Sequence, residues 1–413
     1  MKMQAIILAT GEKGKLAPLT TTMPSPMLPI ANRPVMSFAV ELLARQGIKD
    51  ILVSLYAQGG SIESYFAGGG RWGVTLQYSL QQTKWGSAGA LKWAAGALRE
   101  TAVVLPADAV IDLDIAAARR VHQAHGQALT AILYDAGETP QPPTVWLAED
   151  GRLCLDSKQG APCVFTGAYI IEPQLLTAMP THTHIEIDTD LIPALLAEGI
   201  PVYGYKMAGY WNPLETFGQL QFAQKTFLHS AAQAHANDSA ADRPDTAVNT
   251  RGLLRTPVVE SVKMGPGIWV GKKNVIHPTV RLQPPVYIGD DCRIGHHVEL
   301  GPNTVIGSHV IIDNEATIRD SAIFDYSYVG QLVEVNQRIV NKSVLIDVES
   351  EESTEVTDAF LLSEASPTYA GDLIRRNIDS VTAFLLLIWS LPVTVLLALL
   401  LKLTAGNTFR AVS

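Results

Sequence analysis

The sequence predicts three successive classes of structure: a Rossmann-like α/β unit with a mostly parallel sheet, a left-handed parallel β-helix, and a terminal membrane helix. Three observations carry this reading. Short apolar runs alternate with amphipathic runs over residues 1–228. Aliphatic residues then recur every six positions from Met264 to Ile318. Finally, no charged residue occurs between Asp379 and Lys402.

In the first unit, Ala5–Leu8, Asp50–Leu55, Val74–Tyr78, Val103–Pro106, Leu129–Leu133, Thr144–Leu147, Val164–Ile171 and Val202–Lys206 read as strands. Met36–Gln46, Ala90–Arg99, Ile115–Ala124 and Thr189–Glu198 read as amphipathic helices between them. Strand–helix–strand order implies a mostly parallel sheet covered on both faces. Ligands of such sheets sit beyond the carboxyl ends of the strands. Residues 229–260 are rich in Ala, Asn, Asp and Thr and read as a linker.

The second unit, 261–346, rests on Met264, Val270, Ile276, Leu282, Ile288, Ile294, Leu300, Ile306, Ile312 and Ile318. Glycine follows several of them, and the register then slips by one residue to Ile323, Val329 and Val335. A three-faced coil with its aliphatic residues turned inward produces this period. Residues 347–378 form an acidic, Ser/Thr-rich stretch that reads as a solvated connector. Within 379–413, Ser380–Leu401 would span about 33 Å as a straight helix, enough for a bilayer core. Pro392 at its middle leaves two forms open, a spanning helix and a kinked re-entrant one.

Composition sets the outer bounds. A chain of 413 residues exceeds one ordinary core. A net charge of −9 argues against nucleic acid as a partner. Cys154, Cys163 and Cys292 are scattered and offer neither metal spacing nor a disulfide framework, as expected in a reducing compartment. Met-Lys-Met-Gln leads straight into a strand, so no signal peptide is expected.

The chemistry concentrates near the start. The strand Ala5–Ala9 is followed by Thr10-Gly11-Glu12-Lys13-Gly14-Lys15-Leu16-Ala17-Pro18-Leu19-Thr20, then by Met23-Pro24-Ser25-Pro26-Met27-Leu28-Pro29-Ile30. Further on come Gly86-Ser87-Ala88-Gly89-Ala90-Leu91, Asp108, Gly167 and Tyr169, and Gly209-Tyr210-Trp211. This set resembles the sugar-1-phosphate nucleotidyltransferases, a family that includes mannose-1-phosphate guanylyltransferases. The six-residue repeat is similar to the hexapeptide domain attached to many of them. Arg376–Asp379 followed by two apolar runs around Ser390-Leu391-Pro392 resembles the start of bacterial polyprenyl-phosphate sugar transferases.

The resemblance implies a Rossmann-like nucleotidyltransferase domain that binds a nucleotide or nucleotide sugar and a sugar-1-phosphate, with Mg²⁺. It implies Leu8, Ala9, Gly11, Gly14, Gly86, Ser87, Ala88 and Gly89 as nucleotide-binding residues. It implies Lys15 and Asp108 as catalytic residues, with Asp108 also the metal ligand. Lys158, Gly167, Tyr169 and Trp211 fall at sugar-phosphate positions.

Several positions depart from that pattern. Thr10 replaces the first glycine of a pair, Lys15 the loop arginine, and Ser25 the lysine between two prolines. Pro213 replaces the second metal-binding Asp. Lys15 keeps a charge but lacks the planar fork that clasps phosphate oxygens. Loss of one ligand or oxyanion donor typically costs about 10²–10³ in rate. The expected function is therefore a membrane-tethered, degenerate nucleotidyltransferase of nucleotide-sugar and surface polysaccharide biosynthesis, with a binding or regulatory role. An active enzyme with a rearranged site and a scaffold for a lipid-linked sugar transferase are the alternatives. The expected location is the inner (cytoplasmic) membrane, anchored through Ser380–Leu401, and a homo-oligomer or a paralogous partner is expected through the β-helix.

Overall fold

The computed structural model describes residues 3–9, 16–56, 59–155, 160–238 and 262–365. The first sheet contains β1 (Gln4–Ala9), β2 (Asp50–Tyr56), β3 (Thr75–Gln81), β4 (Ala102–Pro106), β5 (Leu129–Asp135), β6 (Val145–Leu147), β7 (Leu153–Cys154), β8 (Ala161–Ile171) and β9 (Tyr203–Lys206). Its order is β7-β6-β8-β4-β1-β2-β3, with β5 pairing β8 and β9 pairing β5. The run β4-β1-β2-β3 is parallel. Its apolar residues Ile6, Ile7, Val53, Val103 and Val104 are buried, as expected for strands covered on both faces. β8 is antiparallel to β4, β5 and β6.

The helices that flank this sheet are α1 (Met36–Arg45), α2 (Gly59–Phe66), α3 (Gly86–Ala94), α4 (Ile115–His125) and α5 (Phe217–Asp238). Local chemistry fixes α4 at both ends. Asp114 Oδ1 accepts from Ala117 N at 2.9 Å, and Gly126 stops the helix at φ 66°. α5 continues ten residues past 228, through the start of the expected linker.

The six-residue period appears as three mostly parallel sheets wound from one chain. Val270, Ile288, Ile306, Ile323 and Val340 lie in the first of them, in successive coils. Ile276, Ile294, Ile312 and Val329 follow one another in the second, and Leu282, Leu300, Ile318 and Val335 in the third. These residues fill one apolar interior. The slip after Ile318 is a shortened corner: coils that advance by 18 residues, as from Ile288 to Ile306, advance by 17 from Ile306 to Ile323 and again to Val340. The stack is closed by the antiparallel strands Val344–Asp347 and Ser353–Glu355, which fall partly in the stretch expected as a connector.

The outward face of the first coil sheet is also apolar. Trp269, Tyr287, Val305, Ala322 and Ile339 belong to the same buried cluster as Phe38, Phe217 and Phe227 of the α/β unit. Polar contacts pin the same junction. Ala31 N donates to Gln224 Oε1 at 3.1 Å, Asn32 Nδ2 to Ser308 Oγ at 3.3 Å, and Lys225 Nζ pairs with Asp320 at 2.8 Å. Burying the four larger of these apolar side chains contributes on the order of 10 kcal/mol, at roughly 1.5–3 kcal/mol each.

The expected fold class, which ended in a membrane helix, is corrected. Among the described residues no helix is long and apolar enough to cross a membrane. The longest, α5, carries Gln219, Gln221, Gln224, Lys225 and His229 along its length. The α/β unit gives way instead to the many-stranded parallel sheet structure of residues 262–365. The stretch Ser380–Leu401 lies outside the described residues. The expected seat at the inner membrane is corrected by the same finding, that among the described residues no helix could cross a membrane.

Candidate functional site

The carboxyl ends of β1 and β4 lie side by side. Leu8 pairs with Pro106, and Ala107 N donates to Leu8 O at 3.0 Å. Leu8 and Ala9 thus end the central strand next to Asp108. Thr10–Lys15, including Gly11, Gly14 and Lys15, and also Lys158, lie outside the described residues.

Asp108 is 9% exposed, and its Oδ2 accepts from Ser25 Oγ at 3.0 Å. Ser25 is brought there by a 3₁₀ turn, Ser25–Met27, that Pro24 enters in extended conformation and Pro26 continues. A neutral hydroxyl therefore touches this carboxylate from the position where a lysine was expected. On the other side, Trp211 pairs with Ile111 and Asn212 with Val110. Pro213 directly follows this strand pair, and Ala109, the neighbour of Asp108, directly precedes it. Asn212 is occupied locally: its Nδ2 donates to Gln219 O at 2.9 Å, and its Oδ1 accepts from Leu214 N at 2.9 Å. Trp211 is buried and packs on Tyr134 at 5.3 Å.

Gly86, Ser87, Ala88 and Gly89 form the first turn of α3, and another segment already covers them. Ala88 N and Gly89 N donate to Ile185 O at 3.0 and 3.2 Å. Ser87 N and Oγ donate to Glu186 Oε2 at 2.8 and 2.6 Å. Gly86 has φ 72°, and a Cβ there would stand 2.5 Å from Ile185 O. Both facts require glycine. Gly86→Ala is expected to destabilise by about 2 kcal/mol or more, read as a lowered urea midpoint, because strain and overlap add.

Gly167, at φ 75°, sits in the bulge of β8 between Phe165 and Tyr169, against Pro106. Tyr169 is 2% exposed and donates its hydroxyl to Asp188 Oδ1. Its ring is thus core, and its hydroxyl fixes the helical turn Ile187–Leu191. Burial is the main cause that pushes the Asp188 carboxyl up to about 6, opposed by the Tyr169 hydrogen bond and aided by Glu186. A carboxyl raised in the folded state binds its proton more tightly there than when unfolded. Its contribution is therefore present below about pH 4 and lost as pH rises through 6. Asp188→Asn is expected to flatten the pH dependence of stability between pH 4 and 6, by an amount of order 2 kcal/mol, in urea titrations at several pH values.

Sequence reasoning missed three contacts: Ser25 to Asp108, Ser87 to Glu186, and Tyr169 to Asp188. The acidic run Glu186-Ile-Asp188-Thr-Asp190 was the available signal for the last two. His182 is exposed and makes edge contacts with Trp85 and Trp93, with ring centroids at 5.4 and 6.2 Å.

Among the described residues no group of three or more His, Cys, Asp or Glu could hold a metal ion. Mg²⁺ bound to a nucleotide needs only one or two carboxylates, because phosphates and waters supply the other ligands. Asp108 fits that reduced demand.

Residues 4–145 match the nucleotidyl transferase family, and residues 282–356 match the GMPPB C-terminal domain. The chain is 30% identical over 373 residues to a UTP–glucose-1-phosphate uridylyltransferase of Synechocystis sp., covering 83% of this chain and 87% of that one. It is 27% identical over 221 residues to a mannose-1-phosphate guanylyltransferase of Mycobacterium tuberculosis, covering 52% of this chain and 62% of the relative. The solved structure of HddC from Yersinia pseudotuberculosis complexed with GMP-PN aligns with a TM-score of 0.48 at 18% identity, covering 55% of this chain and 100% of the other.

Proposed function

Because this chain belongs to the nucleotidyl transferase family of sugar-1-phosphate enzymes, we propose that it works in nucleotide-sugar biosynthesis as a nucleotide-binding protein with strongly reduced nucleotidyl transfer. The observation that carries the reading is the surroundings of Asp108. One hydrogen-bond donor to it is the Ser25 hydroxyl, and Pro213 directly follows the strand that pairs with Val110–Ile111. Attack of a sugar-1-phosphate oxygen on a nucleoside triphosphate releases pyrophosphate, so negative charge builds on the leaving group. Cationic groups and carboxylate-held metal stabilise that charge. A serine hydroxyl is neutral, and a proline side chain ligates nothing.

Roles follow for several of the candidate residues. Leu8 and Ala9 place the following loop at the carboxyl end of the sheet, where a nucleotide enters. Gly86–Gly89 are assigned to the base and sugar by the family pattern alone, since Ile185 and Glu186 already take the N–H groups of Ser87, Ala88 and Gly89. Asp108 would hold Mg²⁺ together with the triphosphate, and the metal would screen the phosphates. Lys15 and Lys158 are assigned to the phosphates by the family pattern alone. Gly167 keeps β8 low against Pro106.

A second reading, an active sugar-1-phosphate nucleotidyltransferase, draws support from the match to the Synechocystis relative over 87% of its length. One experiment separates the two. The full chain is assayed for pyrophosphate release with Mg²⁺, each nucleoside triphosphate and a panel of sugar-1-phosphates, and for equilibrium binding of the same nucleotides and of nucleotide sugars. The expected outcome is saturable binding with turnover below about 0.1 s⁻¹, some 10²-fold under a typical enzyme. Turnover near 10 s⁻¹ with any pair would establish the second reading.

A further inference from the structure

At the amino ends of β4 and β5, the opposite end of the sheet from Asp108, a polar chain runs through two histidines. Gln127 N donates to His125 Nδ1 at 3.0 Å. His125 Nε2 and His122 Nδ1 each stand 2.7 Å from Thr130 Oγ1. His122 Nε2 lies 3.1 Å from Glu172 Oε1, which also accepts from Thr101 Oγ1 at 2.7 Å. His122 and Thr130 are buried. Tyr203 of β9 stacks flat on the His125 ring, with centroids 4.3 Å apart.

One fixed donor sets the direction of the chain. A backbone N–H only donates, so His125 Nδ1 carries a lone pair and the ring proton sits on Nε2. That Nε2–H donates to the Thr130 hydroxyl. The hydroxyl proton then goes to His122 Nδ1, and His122 Nε2–H donates to Glu172. Both rings lie in the last turn of α4, where the helix dipole favours a cation. At His125 the order of the bonds opposes it. A second proton, on Nδ1, would face the Gln127 N–H, donor against donor.

We propose that this chain is an acid-release clasp, which ties the carboxyl end of α4 to β5 and to the turn after β8 while His125 is neutral and lets go when His125 takes a proton. The titratable groups facing the rings are His122 on α4 itself, Glu172 after β8 and Tyr203 on β9, with Arg152 beside the Tyr203 hydroxyl. Arg99 and Glu100 share a surface groove with Glu172. Burial, and then His122, hold the His125 ring down at about 4. A histidine lowered in the folded state binds its proton less tightly there than when unfolded. Its contribution is therefore whole above about pH 6.5 and is lost as pH falls towards 4, opposite in sign to that of Asp188.

The test is ¹⁵N NMR of the full chain labelled at histidine, with His122→Gln and His125→Gln assigning the two rings. His125 is expected as the neutral Nε2–H tautomer at pH 7. It is expected to stay neutral at pH 5.5, where an ordinary histidine is about nine-tenths charged. Urea titrations read the release. From pH 7 to 5.5 the unfolding constant of the parent is expected to rise at least about fivefold more than that of His125→Gln, whose amide does not titrate. Asp188 is present in both chains and cancels. A readout in the parent alone serves where His125→Gln does not fold. The Gln127 amide is expected to lose at least about tenfold of its exchange protection between pH 6 and 4, while Ala131, inside β5, keeps its own. A charged His125 at pH 5.5, an Nδ1–H tautomer, a folded His125→Gln with the parent's pH dependence, or a Gln127 amide that stays protected would each overturn the clasp.

Discussion

Pro213→Asp is expected to raise pyrophosphate release at least about tenfold over the parent chain. Pro213 directly follows the strand Trp211–Asn212, which pairs with Val110–Ile111, two residues past Asp108. A carboxylate there would double the charge available to a nucleotide-borne Mg²⁺, within the one or two carboxylates such sites use. Substitution removes no backbone donor, because proline has none to lose. Ser25→Lys tests the other departure, since it restores a cation next to Asp108. The two groups would act on one transition state, so the double variant should exceed the product of the single gains. The check is steady-state pyrophosphate release with Mg²⁺ varied. If both variants fold and neither rate nor metal dependence moves, the environment of Asp108 is not what limits this protein.

Gly209→Val is expected to destabilise the chain by about 3 kcal/mol or more and to weaken nucleotide binding with it. A Cβ at 209 would overlap the carbonyl oxygen of Asp112. That oxygen belongs to backbone that cannot swing aside, since Asp112 N donates to Tyr210 O at 2.8 Å. The strain falls on the strand pair that holds residues 211–213 against the Asp108 loop. Urea unfolding and nucleotide titration of the same preparation would check it. A variant with the parent's midpoint would mean that this strand pair is more pliable than its contacts imply.

Much of the fold could be read from residue order because its signals are local and periodic. Eight apolar runs, from Ala5–Leu8 to Val202–Lys206, fall on strands of the first sheet, and the six-residue period falls on the three coil sheets. Boundaries were harder. α3 begins at Gly86, four residues before the expected helix, because two glycines and a serine hide a helix start that tertiary contacts from Ile185 and Glu186 stabilise. α2 was unseen because Gly59-Gly60-Ser61 has low helix propensity. The apolar run Ser380–Leu401 lies outside the described residues. Length and hydropathy suggested a membrane span, but no described helix has that character.

The site was legible only as a list of positions. Asp108, Gly86–Gly89 and Gly167 are named by the family resemblance, and their roles belong to the proposed function. Their partners lie far away in sequence: Ser25 is 83 residues from Asp108, and Glu186 is 99 from Ser87. No periodicity connects such pairs. The sharpest case is Tyr169, which the pattern assigned to a sugar and which packing makes a buried anchor for Asp188.

The apolar outer face of the coil stack shares one buried cluster with the α/β unit. A coil stack hung on a tether could be lost, duplicated or exchanged while its neighbour stayed intact. Here Trp269, Tyr287 and Val305 are part of what keeps Phe38 and Phe227 dry. Cutting the chain between the two units would expose that seam on both halves, and each half would then be prone to aggregate. The two are thus expected to unfold together, and a lesion in the coils should surface as a defect in the α/β unit.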